Sequence, residues 1–118
     1  MLVLQGEGTV FSAGHDLKEL KVAEKPEEVF NQCTKSLLAL KKLPIVTLCA
    51  INGVAAAGGF QLALSCDLIV ATEKSSFSTP GVKWGLFCST PGVQLIRSIN
   101  SEKKANEMLL FGEPISAQ

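Results

Sequence analysis

Two short stretches rich in glycine and alanine, FSAGHD at 11–16 and NGVAAAGG at 52–59, carry the chemistry available to this chain. Each falls where an extended segment gives way to a helix. Small residues at such a junction leave backbone N–H groups uncovered and let a ligand come close. Two junctions flanking one strand-like segment can aim two N–H donors at one acceptor oxygen, the arrangement that stabilises an oxyanion. A helix starting near Gly58 strengthens this, because its first N–H groups have no partner within the helix and its dipole is positive at that end. Negative charge developing on the oxygen of an activated carbonyl is favoured there. The backbone N–H of His15 is the second donor. Tight turns and close packing call for the same glycines, so the residue types alone leave both readings open.

Side chains offer less. His15 is the single histidine of the chain, and an imidazole exchanges protons near neutral pH, so a general-base role stands beside the backbone role. The cysteines, Cys33, Cys49, Cys66 and Cys88, are irregularly spaced with no C-x-x-C pair. That pattern argues against zinc or redox chemistry and for reduced core thiols in an intracellular compartment. Cys88 as a nucleophile lacks a neighbouring base in sequence. The chain has no G-x-G-x-x-G and no phosphate-loop lysine, which ranks a dinucleotide-binding domain last.

The 118 residues make one domain or part of one, with 47% hydrophobic and 19% charged residues. Eleven basic residues balance eleven acidic ones, which argues against a nucleic-acid or membrane-surface footprint. No apolar run has the roughly 18 residues of a membrane span. Residues 2–4 and 10–11 read as short strands, and 16–22 as a helix with Leu17 and Leu20 inward. Pro26 suits the first turn of a helix whose apolar stripe is Phe30, Cys33, Leu37 and Leu40. Residues 45–51 (IVTLCAI) lack alternation and are expected to form a strand buried on both faces. FQLALSC (60–66) is apolar nearly all round, the mark of a buried helix. Residues 67–71 form another buried strand and 76–79 a brief one. Residues 80–90 are expected to be a glycine-rich loop, and a helix is expected over 91–96. Ser101 caps a further helix that Gly112 and Pro114 end, and the chain closes in a loop-like stretch. Strands alternating with helices predict an α/β fold.

FSAGHDLKEL (11–20) resembles the first oxyanion segment of the crotonase (enoyl-CoA hydratase/isomerase) superfamily, and INGVAAAGGFQLALSCD (51–67) resembles the second. SFSTPGVKWGL (76–86), followed by TPG (90–92), looks like its active-site loop and next helix. The resemblance implies a crotonase-like ββα-spiral. Residues 1–118 would be the central part of one acyl-CoA-binding domain, lacking N-terminal strands and C-terminal helices. It also implies a homotrimer or hexamer, a mitochondrial matrix location and a link to fatty-acid metabolism. The partner would be acyl-CoA, with no cofactor beyond the CoA of the thioester and no metal. A piece of this length is expected to leave apolar surface bare around residues 109–111 and to be unstable alone.

Residue by residue, the backbone N–H groups of His15 and Gly58 would hold the thioester oxygen. Ala13, Asp16, Leu17 and Lys18 match the segment lining the CoA moiety, and Trp84 and Phe87 would line the acyl pocket. Asp67 would be structural. Gln61 and Gly81 fall where the hydratases carry their two glutamates. An uncharged amide and a hydrogen cannot transfer that proton, and neither Cys88 nor Ser89 supplies an acid. The implied activity is acyl-CoA handling without conventional hydration, for instance decarboxylation or thioester hydrolysis. The other expectation is a catalytically silent acyl-CoA-binding or regulatory protein.

Overall fold

The computed structural model describes residues 1–22, 24–88 and 98–118. The expected helix at 91–96, the TPG at 90–92 and Ser89 lie outside the described residues. Strands β1 (Leu2–Gln5), β3 (Thr47–Ile51) and β5 (Leu68–Ala71) form one parallel sheet in the order β1-β3-β5. Strands β2 (Val10–Ser12), β4 (Val54–Ala56) and β6 (Ser76–Ser78) run parallel in a second sheet. A two-residue strand β7 (Ile115–Ser116) joins that sheet antiparallel to β6.

The helices are α1 (Leu17–Val22), α2 (Pro26–Lys41), α3 (Gly58–Ser65) and α4 (Glu102–Phe111), with one 3-10 turn at Pro80–Trp84. The path is therefore a spiral: a strand in the first sheet, a strand in the second, then helix. β1-β2-α1-α2 is one turn and β3-β4-α3 the next. This is the ββα-spiral expected from the sequence.

Each crossing between sheets needs a sharp corner, and the residues at the β3–β4 corner explain how it is made. Gly53 has φ +148°, and a Cβ there would run into Thr9 O. Ser75 Oγ accepts the Gly53 N–H at 3.1 Å and donates to Ile51 O at 3.0 Å. The Ser76 N–H donates back to Gly53 O. The strand β4 that follows was not legible in NGVAAAGG, because three residues with two alanines carry no alternation.

The core lies between the sheets and helices. Cys49, Ile51, Ala55, Phe60, Ala63, Leu64, Met108 and Leu109 are buried together. Each large apolar side chain among them contributes about 1.5–3 kcal/mol. α3 is buried on most sides, as its composition predicts. Helix α4 starts at Ser101, whose Oγ accepts the Lys104 N–H, and ends at Gly112 in the left-handed region. Leu109 is buried, whereas Leu110 and Phe111 are exposed.

Several sequence expectations need correction. The β3 segment alternates: Thr47, Cys49 and Ile51 are buried, Leu48 and Ala50 only half-buried, and Ile45 and Val46 lie exposed before the strand begins. β5 is exposed along Leu68, Ile69 and Val70. The reason is that, among the described residues, nothing covers the outer face of the first sheet, where Val3, Leu48, Leu68 and Val70 stand side by side. Leu17 is exposed and only Leu20 of that pair is half-buried. In α2 the inward stripe is Val29, Cys33, Leu37 and Leu40, while Phe30 turns outward toward His15. Residues 80–84 are a 3-10 turn rather than loop, and the C-terminal stretch pairs as β7.

Asp67 ties the start of β3 to the start of β5. Its carboxylate accepts both the N–H and the hydroxyl of Thr47 at 2.8 Å, and its own N–H donates to Thr47 O at 3.1 Å. These hydrogen bonds, the backbone one first, hold the Asp67 carboxyl below the usual carboxylate range. A lowered carboxyl pKa stabilises the fold above the unfolded-state value, and that stabilisation is lost as pH falls through the folded-state value. Stability is therefore expected to fall as pH drops below about 4. In Asp67→Asn that component of the decline disappears and stability at pH 7 is lower, as read by urea unfolding at pH 7 and pH 3.

Candidate functional site

Parallel strands finish at the same edge of their sheet, so the segments that follow β2, β4 and β6 lie side by side. These are residues 13–15, 57–58 and 79–81. The C-terminal edge of parallel strands is where loops and helix N-termini converge on ligands in open α/β sheets. Gly14, Gly58 and Gly81 fall here, whereas Gly53 of the second stretch sits at the opposite edge, at the β3–β4 corner.

The first two segments interlock. Gly14 has φ +101°, and a Cβ on it would stand 2.9 Å from Gly58 N and 3.1 Å from Ala57 Cβ. A Cβ on Gly59 would stand 2.5 Å from Ser12 Cβ and 2.6 Å from Ser12 Oγ, and would collide with Ser12 O. Ser12 Oγ in turn accepts the Gly14 N–H at 3.3 Å. A Cβ on Gly58, by contrast, meets only ordinary contacts: Gly14 Cα at 3.4 Å, His15 Cδ2 at 3.5 Å and His15 N at 3.8 Å. The amides of His15 and Gly58 are thus brought to one place. Among the described residues neither N–H donates to a protein acceptor.

Helix α3 has no capping side chain. Its N-cap, Ala57, sits at φ +49° and ψ −121°, and is the only non-glycine residue with positive φ among the described residues. Such a conformation costs about 1–3 kcal/mol. It persists because both polar groups of Ala57 are engaged: its N–H donates to Ser78 O at 3.0 Å and its carbonyl accepts the Gln61 N–H at 3.0 Å. The amide that follows, that of Gly58, has no protein acceptor among the described residues. An alanine gives no sequence signal for positive φ, so Ala57 was not singled out. Ser12 was also missed, since its role depends on Gly59, 47 positions later.

The remaining residues divide into a rim and a floor. Ala13, Asp16, Leu17 and Lys18 form an exposed rim next to His15. Asp16 caps α1, its Oδ1 accepting the Lys18 N–H at 2.8 Å. The His15 ring is held edge-on against Phe30, with centroids 5.2 Å apart and planes at 77°. Gln61 is 9% exposed, in the first turns of α3. Asp67 and the α3 C-terminus lie at the other end of that helix.

The third segment is built differently. A Cβ on Gly81 would stand 2.7 Å from Leu86 O and 2.9 Å from Cys88 Sγ. The 86–88 chain folds back because the Leu86 N–H donates to Gly81 O at 2.9 Å. Residue 81 therefore has no room for a side chain as the chain lies here. Thr79 Oγ1 donates to Met108 O at 2.7 Å, so α4 buttresses this segment from behind. Trp84 is 76% exposed, and Leu86 and Phe87 are exposed beside it.

The cysteines are free thiols. Burial pushes Cys49 up to about 12 and raises Cys66 as well, so these two are poor nucleophiles. Among the described residues no cluster of three histidine, cysteine or carboxylate groups forms a metal site. A shallow concavity of about 550 Å³ lies at the opposite, N-terminal edge of the second sheet, lined by Gly8, Thr9, Asn52, Gly53, Thr72, Glu73 and Lys74. Its walls are the corner residues already described, remote from the interlocked amides.

The contacts at the two adjacent glycines predict opposite outcomes. Gly58→Ala is expected to unfold within about 0.5 kcal/mol of wild type. Gly59→Ala is expected to lose about 1–3 kcal/mol by overpacking against Ser12. Denaturant unfolding of both variants checks this.

Comparison with known proteins fits this architecture. A family profile described as Enoyl-CoA hydratase/isomerase matches residues 1–118. The chain is 51% identical over 121 residues to the human protein named "Enoyl-CoA hydratase domain-containing protein 3, mitochondrial", a match covering 100% of this chain and 40% of that one. It is 35% identical to "Probable enoyl-CoA hydratase, mitochondrial" of Dictyostelium discoideum, over 98% of this chain and 42% of that one.

Among solved structures, the human domain-containing protein 3 superposes with a TM-score of 0.88, covering 98% of this chain and 47% of that one. An enoyl-CoA hydratase of Mycobacterium smegmatis superposes with a TM-score of 0.90 at 46% identity, covering 98% and 46%. The chain spans about 40% of the length of these curated relatives. With the spiral fold and a family match along its whole length, the chain belongs to the enoyl-CoA hydratase/isomerase family.

Proposed function

We propose that this protein binds an acyl-CoA thioester with the carbonyl oxygen seated between the N–H groups of His15 and Gly58. The observation that carries the reading is the pair of unpartnered amides held together by the Ser12–Gly14–Gly59 interlock. Two preorganised donors stabilise an enolate or tetrahedral oxygen far better than bulk water does, because they need no reorientation as charge develops. The uncapped N-terminus of α3 adds its dipole. Ala13, Asp16, Leu17 and Lys18 form the rim along which the CoA moiety lies, and Trp84 contributes to the acyl side. No cofactor is needed beyond the CoA of the substrate.

Conventional hydration is not part of the proposal. It needs two proton-transferring groups, each worth about 10²–10⁴-fold, and Gln61 and Gly81 stand where the family resemblance puts them. A second reading is favoured by one specific contact. Leu86 O and Cys88 Sγ fill the space a side chain at 81 would need, which suits a silent acyl-CoA-binding or regulatory protein as well as an enzyme with other chemistry.

Assembly as a homotrimer or hexamer is part of the proposal, supported by the uncovered apolar face of the first sheet and by exposed Leu86, Phe87, Leu110 and Phe111. Relatives named mitochondrial support a mitochondrial location; a place in the matrix and a role in fatty-acid metabolism are part of the proposal. Among the described residues no helix is long and apolar enough to cross a membrane.

Calorimetric titration tests the reading. Butyryl-CoA is expected to bind tighter than CoA alone, and crotonyl-CoA is expected to show no hydration above background. Gly58→Ala places a methyl beside the seat and is expected to weaken butyryl-CoA by about tenfold, the worth of roughly one hydrogen bond, with CoA unchanged. Equal affinity for butyryl-CoA and CoA in the wild type would refute the seat.

A further inference from the structure

We infer that the imidazole of His15 is the proton-transfer group of this site, acting on the carbon next to the thioester carbonyl of the bound acyl group. The inference rests on the acyl-thioester seat proposed above and goes beyond it by naming a catalytic side chain and a reaction class.

Position is the first argument. His15 would supply one of the two amides from its backbone, so its own side chain cannot be far from the bound carbonyl. The ring Cδ2, bonded directly to Nε2, lies 3.5 Å from where a Cβ on Gly58 would stand, while His15 N lies 3.8 Å from the same point. Backbone donor and imidazole edge therefore border one small volume in front of the α3 N-terminus. A carbonyl oxygen accepting the Gly58 N–H places its neighbouring carbon within a few ångströms of that ring edge.

Availability is the second. Among the described residues neither ring nitrogen has a hydrogen-bond partner, and the ring meets Phe30 edge-on. Phe30, on helix α2, is 46% exposed and supplies the aromatic neighbour of the imidazole. A ring that meets Phe30 and has no partner at its nitrogens is available for proton transfer.

Elimination is the third. Gln61 and Gly81 carry no acid or base. Asp16 is the adjacent carboxylate, but its Oδ1 caps α1 and it lies exposed on the rim. Cys49 and Cys66 are buried with raised pKa. Glu73 and Lys74 are at the opposite edge of the sheet. Cys88 Sγ lies against Gly81 of the third segment, so His15 is the acid–base side chain whose ring borders the amide pair.

The step balances without any other reagent. An unprotonated imidazole nitrogen accepts one proton from the α-carbon. The C–H electron pair becomes a carbon–carbon double bond, and the carbonyl π pair moves onto oxygen, between the N–H groups of His15 and Gly58. Return of a proton from the imidazolium regenerates the thioester. Substrates are acyl-CoA thioesters bearing an α-hydrogen. In D2O the expected outcome is exchange of that hydrogen for deuterium.

Substituting the side chain leaves the backbone donor in place, so the test separates the inference from the reading beneath it. Butyryl-CoA is incubated in D2O with the full chain, with His15→Ala and with His15→Gln, and α-deuterium incorporation is followed by mass spectrometry. Binding of butyryl-CoA is measured alongside by calorimetry, and folding by circular dichroism. The expected result is exchange by the wild type and a loss of about 10²–10⁴-fold in both variants, with affinity within a few-fold of wild type. Imidazole added to His15→Ala is expected to restore part of the exchange. Exchange that survives in a folded variant overturns the inference and leaves the seat standing, as does a wild type that binds butyryl-CoA but exchanges nothing. A wild type that does not prefer butyryl-CoA to CoA overturns both.

Discussion

Between Ser12 at the end of β2 and Gly59 in the first turn of α3 there is no room for a side chain. Gly59 faces Ser12 so closely that even a methyl group would strike its backbone carbonyl, and a Cβ on Gly14 would stand 2.9 Å from the amide nitrogen of Gly58. This contact fixes how near the two chain segments come, and with it the spacing of the amides they expose. It also explains a cost the fold would otherwise avoid. Ala57 is held in a conformation that L-residues resist, at a helix N-terminus whose first N–H has no protein acceptor among the described residues.

The rest of the molecule serves that contact. Parallel pairing of β2, β4 and β6 brings three loops to one edge. The corner built from Gly53 and Ser75 sets where β4 begins, and therefore where it ends. Helix α4 holds the third loop through Thr79. Burial of Phe60, Ala63 and Leu64 anchors α3, so its N-terminus cannot retreat from the site. An oxyanion site gains from this rigidity, since donors that are already aimed lose nothing in reorganisation. The account of proton transfer follows the same logic: the backbone that supplies a donor at residue 15 also brings an imidazole to the edge of the same volume.

The sequence made much of this legible. Glycine placement, the all-apolar character of FQLALSC and the Ser101 and Gly112 caps each reflect a local requirement that one residue type satisfies. Asp67 reads as structural, and it is, through Thr47. What escaped depends on contacts between residues distant in the chain. Ser12 matters through Gly59, and Gly81 is tight because residues 86–88 fold back onto it. Ala57 escaped because alanine hides a positive φ. The apolar run 45–51 predicts a doubly buried strand, yet burial is a property of neighbours, and the outer face of that sheet meets none among the described residues. The short strands β4 and β7 hold too few residues for any period to show.

One spectroscopic measurement reaches the centre of the account. The infrared stretch of a 13C-labelled thioester carbonyl in butyryl-CoA reports how strongly its oxygen is hydrogen-bonded. Two donors from residues 15 and 58 predict a shift to lower frequency on binding, with part of that shift lost in Gly58→Ala. A bound carbonyl that absorbs at its frequency in water would contradict the account.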